Sequence, residues 1–270
     1  MGAFDYRQQI SCRLIRQKRK TLALSVDTEG NVIVKAPVGM AAGVIREFVE
    51  SREEWIKKQR ENAQRLSRYR KCYVEGEAFL YLGETCYLTI KEDAAAREAQ
   101  VIRKEGKHLI VTGPGDTLQI QKAVINWYKK SAEQVIAGRL ALYQPLIGRP
   151  YGRVSIKDTK SQWGSLSARG NLSFNYRIVM APLEIVDYLV VHELCHLLYM
   201  DHSPLFWSNV GRILTDYQGR RRWLRKNGGM LTLDLKGCEF PVTFCESGIV
   251  SESCRVGSES AGWKPFPIIG

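Results

Sequence analysis

Between residues 185 and 198 the chain is predominantly apolar, yet it sets His192, Glu193 and His196 into that stretch, and this pairing constrains the fold more than any other feature. Ile185, Val186, Leu189 and Val190 recur at the spacing of a buried helix, and Leu194, Leu197 and Leu198 continue its apolar side. Ala181-Pro182 marks a helix start. Two histidines and a carboxylate inside such a helix need a partner, because a buried charge without pairing or metal is costly. Residues four apart share a helix face, so His192 and His196 can point ring nitrogens at one ion, while Glu193 lies about 100° round the helix. That position suits a proton acceptor beside the ion rather than a third ligand.

Tetrahedral zinc with one open position takes three protein ligands, and His202, six residues beyond His196, is the nearest candidate. The intervening Tyr199-Met200-Asp201 gives the helix room to end and the chain to turn back. Ser203 then caps a new helix with Pro204 at its first position, and Leu205, Phe206, Val210, Ile213, Leu214 and Tyr217 are its packing residues. Glu184 and Asp187 sit a turn or two before His192, where they serve the helix N-terminus better than a metal. Cys195 reads as a small buried hydrophobe, not a thiolate ligand. His108 reads as a hydrogen-bonded or exposed strand residue.

Two segments together resemble the YgjP-like metal-dependent hydrolases (domain of unknown function 45), relatives of the SprT-like and minimal gluzincin-type metallopeptidases. The first is Lys160-Ser161-Gln162-Trp163-Gly164-Ser165 with Gly170-Asn171-Leu172-Ser173-Phe174-Asn175; the second runs from Ala181-Pro182 through His192-Glu193-Leu194-Cys195-His196 to His202-Ser203 and Phe206-Trp207. The resemblance implies metal ligation by His192, His196 and His202 and a catalytic role for Glu193. Leu166 stands where the family often has cysteine, so residue 166 brings no thiol to the site.

The chemistry implied is metal-assisted hydrolysis, with zinc as the cofactor and nickel, cobalt or iron also compatible with three nitrogens. A peptide or protein is the expected substrate, and the strands around Val154 to Leu166 or Leu172 to Val179 offer an edge for it. Tyr176, Arg177 and Tyr199 are candidate oxyanion donors, and Trp163 is a packing residue supporting the cleft. Two alternatives stay open at this point: a nucleotide pyrophosphatase, although no GxxxxGK loop is present, and a metal-stabilised interaction module without catalysis.

A formal net charge of +12 steers the chain toward acidic partners, and nucleic-acid association is compatible with Arg16-Gln17-Lys18-Arg19-Lys20 and Arg220-Arg221-Arg222, although no recognition-helix pattern accompanies them. No apolar run approaches the ~20 residues that cross a bilayer, so no membrane partner is expected. Seven cysteines without a CxxC pair suggest a reducing compartment, and a cytoplasmic location is expected. Cys238, Cys245 and Cys254 match no compact metal pattern.

The expected fold is α+β, with a zincin-like metallopeptidase core carrying the HExxH helix and an N-terminal antiparallel β-rich subdomain. Strands are read at 11–16, 21–26 and 32–36, helices at 41–48 and 51–69, and a hairpin at 79–90 turning through Gly83-Glu84. Strands at 99–103 and 108–112 precede a helix from Leu118 to Leu142, stopped before Pro145 and packed against the motif helix. The expected division is 11–115, 116–227 for the catalytic domain, and a partly disordered 228–270.

Overall fold

The computed structural model describes residues 11–27, 29–159 and 162–236, with the backbone alone for 102–105. Residues 237–270 of the expected 228–270 tail, with the three late cysteines, and Lys160-Ser161 of the first motif lie outside the described residues.

The architecture is α+β with a β-rich N-terminal part. Strands β1 (Cys12–Gln17), β2 (Ala23–Val26) and β3 (Val32–Pro37) form a sheet in the order β1-β3-β2. It is mixed rather than antiparallel, since β1 pairs with β3 in parallel and only β2 runs opposite. The central place of β3 follows from Val32, Val34 and Ala36, which alternate into the interior. Those residues pack on Ile45 and Val49 of α1 (Ala42–Glu50) and Ile56 of α2 (Glu53–Ser67), a small core of their own.

A second sheet, in the order β4-β5-β7-β6, comprises β4 (Ala78–Tyr81), β5 (Glu84–Glu92), β6 (Gln100–Glu105) and β7 (His108–Gly113). Its Leu88, Leu109 and Val111 join a continuous core with Val124, Tyr128, Ala132 and Ile136 of α3 (Thr117–Ile147). The β4–β5 turn is Leu82-Gly83, one residue earlier than the sequence suggests, with φ of 51° and 81°. Two successive positive φ values match the right-handed twist of a tight hairpin, which offsets the cost of placing a leucine there. This tip braces the start of the motif helix: Leu82 N–H donates to Val179 O at 2.7 Å, and a methyl group on Gly83 would come within 3.0 Å of Pro182.

Helix α3 continues through Pro145 instead of stopping before it. A proline in the last turn forfeits one hydrogen bond near the frayed end, so it costs less than one in the interior. The stop comes from Gly148 at φ 69°, whose N–H donates to Gln144 O at 3.1 Å.

A third sheet, β8-β10-β9, is built from β8 (Val154–Lys157), β9 (Gly164–Leu166) and β10 (Leu172–Asn175), with β9 antiparallel to β10 and at the sheet's edge. A 3-10 helix at Tyr176–Met180 leads into α4 (Leu183–Cys195), followed by α5 (Pro204–Ile213) and α6 (Tyr217–Asn227). Val186, Val190, Val191 and Leu194 of α4 are wholly buried, each such burial being worth about 1.5–3 kcal/mol. As expected, α3 lies against α4, and Arg139 forks onto Asp187 across that contact through Nε and, at 3.0 Å, Nη2. No helix among the described residues is long and apolar enough to cross a membrane.

Candidate metal centre

His192 lies on the last turn of α4, and His196 caps it with backbone angles still helical (φ −64°, ψ −18°), so the two imidazoles stay on one face. The His196 Nδ1 stands 3.0 Å from the Tyr199 carbonyl oxygen. A carbonyl only accepts, so Nδ1 carries the hydrogen and Nε2 is left with its lone pair. The chain then turns, and Ser203 opens α5 by accepting from Phe206 N–H at 3.5 Å, with Pro204 in the first turn. That helix supplies the ring wall of the site. Phe206 stacks on His196 with centroids 4.5 Å apart, and Trp207 on His202 at 5.5 Å.

The three histidines converge. One ring nitrogen from each lies within 4.8 Å of the others, and His202 Nε2 is 3.1 Å from His192 Nε2. Nitrogens sharing a tetrahedral zinc at about 2.0–2.1 Å stand roughly 3.3 Å apart, so this donor set fits such an ion. The protonation states fit as well. Burial, then the neighbouring His196 and His202, and Arg221 push His192 down to about 3, and burial also lowers His196, which keeps both rings in the neutral, ligating form.

Glu193 is 3% exposed, its Oε2 is buried without a hydrogen-bond partner, and burial pushes its carboxyl up to about 8. A carboxylate there needs a neighbouring cation. Its space is set by Gly164, where a methyl group would come within 2.5 Å of Glu193 Oε1 and 2.8 Å of its Cγ and Cδ. Gly164 opens β9, which is fixed to β10 by the Ser165–Ser173 hydroxyl pair at 2.7 Å and by Asn175 N–H donating to Trp163 O at 2.7 Å.

The other candidates separate clearly. Cys195 is wholly buried, and burial pushes its thiol up to about 12, so it packs as a neutral hydrophobe. His108 is exposed, with Nδ1 3.1 Å from Thr89 Oγ1, and lies outside the cluster. Asp187 belongs to Arg139, and Glu184 sits in the first turn of α4. Tyr176 is fully buried with an unpartnered hydroxyl, Arg177 is paired with Asp158 at 2.8 Å, and Tyr199 enters through its backbone carbonyl. Sequence reasoning missed three contributions: the room that Gly164 gives Glu193, the Arg139–Asp187 brace, and Arg221, whose guanidinium lies 4.4 Å from the Trp207 ring centroid. The helical spacing of His192 and His196 carries no signal for partners on other elements.

A family model described as YgjP-like, metallopeptidase domain, matches residues 20–227, more than half of the chain. The chain belongs to the YgjP-like metallopeptidase family. This YgjP-like protein is accordingly a hydrolase of the metallopeptidase class, and its three clustered histidines could hold a metal ion. Among solved structures, the metallopeptidase zymogen abylysin of Pyrococcus abyssi is 20% identical, covering 38% of this chain and 98% of its own, with a TM-score of 0.30. The zymogen of jannalysin from Methanocaldococcus jannaschii is 18% identical, covering 36% of this chain and 95% of its own, also at 0.30. No curated protein matches the chain.

Proposed function

We propose that this YgjP-like protein is a zinc metallopeptidase with a zincin-like core, in which His192, His196 and His202 hold the ion and Glu193 is the general base. The observation that carries this reading is a triad of ring nitrogens within 4.8 Å, one residue along the helix from a buried carboxylate whose Oε2 has no partner. When bound, zinc supplies Lewis acidity that acidifies water and polarises the scissile carbonyl. Glu193 takes a proton from the attacking water and returns it to the leaving amine. Gly164 leaves the carboxylate its space, and Phe206 and Trp207 hold the His196 and His202 rings in place. An extended peptide adds to the free edge of β9, giving main-chain hydrogen bonds beside the catalytic residues. Residues 116–227 form the catalytic domain, and 11–115 a wall toward the substrate.

The test compares wild type with Glu193→Gln on a peptide library and a nucleoside triphosphate panel, with zinc measured in both preparations. The expected result is peptide cleavage by wild type, a loss of about 10²–10⁴ in kcat for the variant, and equal zinc contents. Glu193-dependent release of pyrophosphate without peptide cleavage would move the assignment to nucleotide hydrolysis.

A further inference from the structure

A cavity of about 710 Å³ opens beside the proposed catalytic cleft. Gln162 and Trp163 line it, and the next residue is Gly164, whose Cβ position abuts Glu193, so neighbouring residues of one extended segment border the cavity and the base. Three arginines reach this space from separate parts of the chain: Arg70 after α2, Arg177 from the 3-10 helix after β10, and Arg225 from α6. The acidic lining is Glu29 and Asp234. Asp234 is already drawn toward Arg177, at 3.7 Å from Nη2. Arg70 and Arg225 have no side-chain hydrogen bond or ion pair among the described residues, and the Nε of Arg177 is buried with no acceptor. Arg177 is also held by Asp158 at 2.8 Å, so among the described residues the guanidiniums left without an ion pair are Arg70 and Arg225, facing Glu29, while the buried Nε of Arg177 lacks an acceptor. Planar guanidinium groups match carboxylates in geometry as well as charge. The volume is that of a site for a side chain or small ligand.

We propose that this cavity is a substrate subsite for an acidic side chain, making the enzyme selective for peptides with glutamate or aspartate close to the scissile bond. The proposal rests on the peptidase reading. A peptide added along β9 advances about 3.3 Å per residue with side chains alternating between faces, so a residue near the scissile bond lies within reach of the Trp163 side of the cavity. The Glu29 carboxylate, from the turn between β2 and β3, lies in the lining and offsets one of the two guanidiniums, Arg70 and Arg225, that have no ion pair among the described residues.

The test uses peptide pairs differing only in glutamate against glutamine, with the position scanned along the peptide. Wild type is expected to prefer glutamate roughly tenfold in kcat/KM at one position, as charge-assisted hydrogen bonds are about twice as strong as neutral ones. Arg70→Gln and Arg225→Gln are each expected to bring that ratio close to one. Arg46→Gln, which removes the same charge from exposed α1 outside the cavity, keeps the ratio. The absence of a glutamate preference at every position, or a preference untouched in both cavity variants, overturns the proposal. Calorimetric binding of the same pairs to Glu193→Gln protein distinguishes this failure from failure of the peptidase reading. If wild type cleaves neither peptide, glutamate-dependent binding that is lost in the arginine variants still supports the subsite, whereas equal binding overturns it. A nucleoside triphosphate that binds more tightly than the glutamate peptide, and weakens in the same variants, also overturns it.

Discussion

Gly164→Ala adds one methyl group at the place where β9 meets the Glu193 carboxylate, the proposed general base. The glycine's φ lies outside the left-handed region, so alanine meets no backbone strain and the substitution tests space alone. The new carbon would stand 2.5 Å from Glu193 Oε1, and ordinary contact begins at 3.4 Å, so about 1 Å of movement is required. Glu193 is buried among wholly buried neighbours on α4 and has little room to give, which leaves a displaced carboxylate or a displaced edge strand. Overpacking of this kind costs about 1–3 kcal/mol, or about 2–4 °C in Tm per kcal/mol for a chain of this size. A misplacement of 1 Å in the base costs on the order of 10² in rate. The expected outcome is a fall of that order in kcat for peptide cleavage, a modestly lower Tm, and full zinc content, since no ligand is touched. Wild-type kcat in the alanine protein would refute the reasoning, because it would show that Glu193 need not occupy the space Gly164 leaves.

Arg139→Met strands the Asp187 carboxylate, 11% exposed, at the α3–α4 contact, and should destabilise by about 2–3 kcal/mol in urea unfolding, with Arg139→Met/Asp187→Leu milder than the single change. Cys195→Ala should retain its zinc while losing about 1 kcal/mol, read by metal analysis and thermal unfolding; loss of the metal would make the thiol a ligand after all. Burial raises the phenols of Tyr73, Tyr128 and Tyr176, the last to about 12, above the ordinary 10.0. The unfolded chain therefore loses those protons first, and stability present below pH 10 should fall as pH rises toward 12, measurable as a lower urea midpoint at pH 11 than at pH 9.

The shared face of His192 and His196 on α4 was legible because its determinants are local: residues four apart share a face whatever the rest of the chain does, and Ser203-Pro204 announces α5 by its own capping chemistry. His202 was within reach for the same reason, being held between those two helices. The N-terminal sheet was legible as strands but not as topology. Alternation identifies β3, yet nothing in the sequence states that β1 skips β2 to pair with it in parallel. Pro145 misled because the penalty of a proline depends on which turn it occupies, and that is fixed by the distant packing of α3. Gly164 against Glu193 and the arginines of the cavity are long-range meetings. They depend on where β9, the 3-10 helix and α6 come to rest, and residue spacing carries no record of that.

The most direct test is zinc stoichiometry and affinity in wild type and in the single variants His192→Ala, His196→Ala and His202→Ala, each checked for native circular dichroism. The account predicts one zinc per chain in wild type and a loss of affinity in all three variants, with peptide cleavage lost alongside. A folded His202→Ala protein that binds zinc as tightly as wild type would contradict it, by showing that the ion is held without the third histidine.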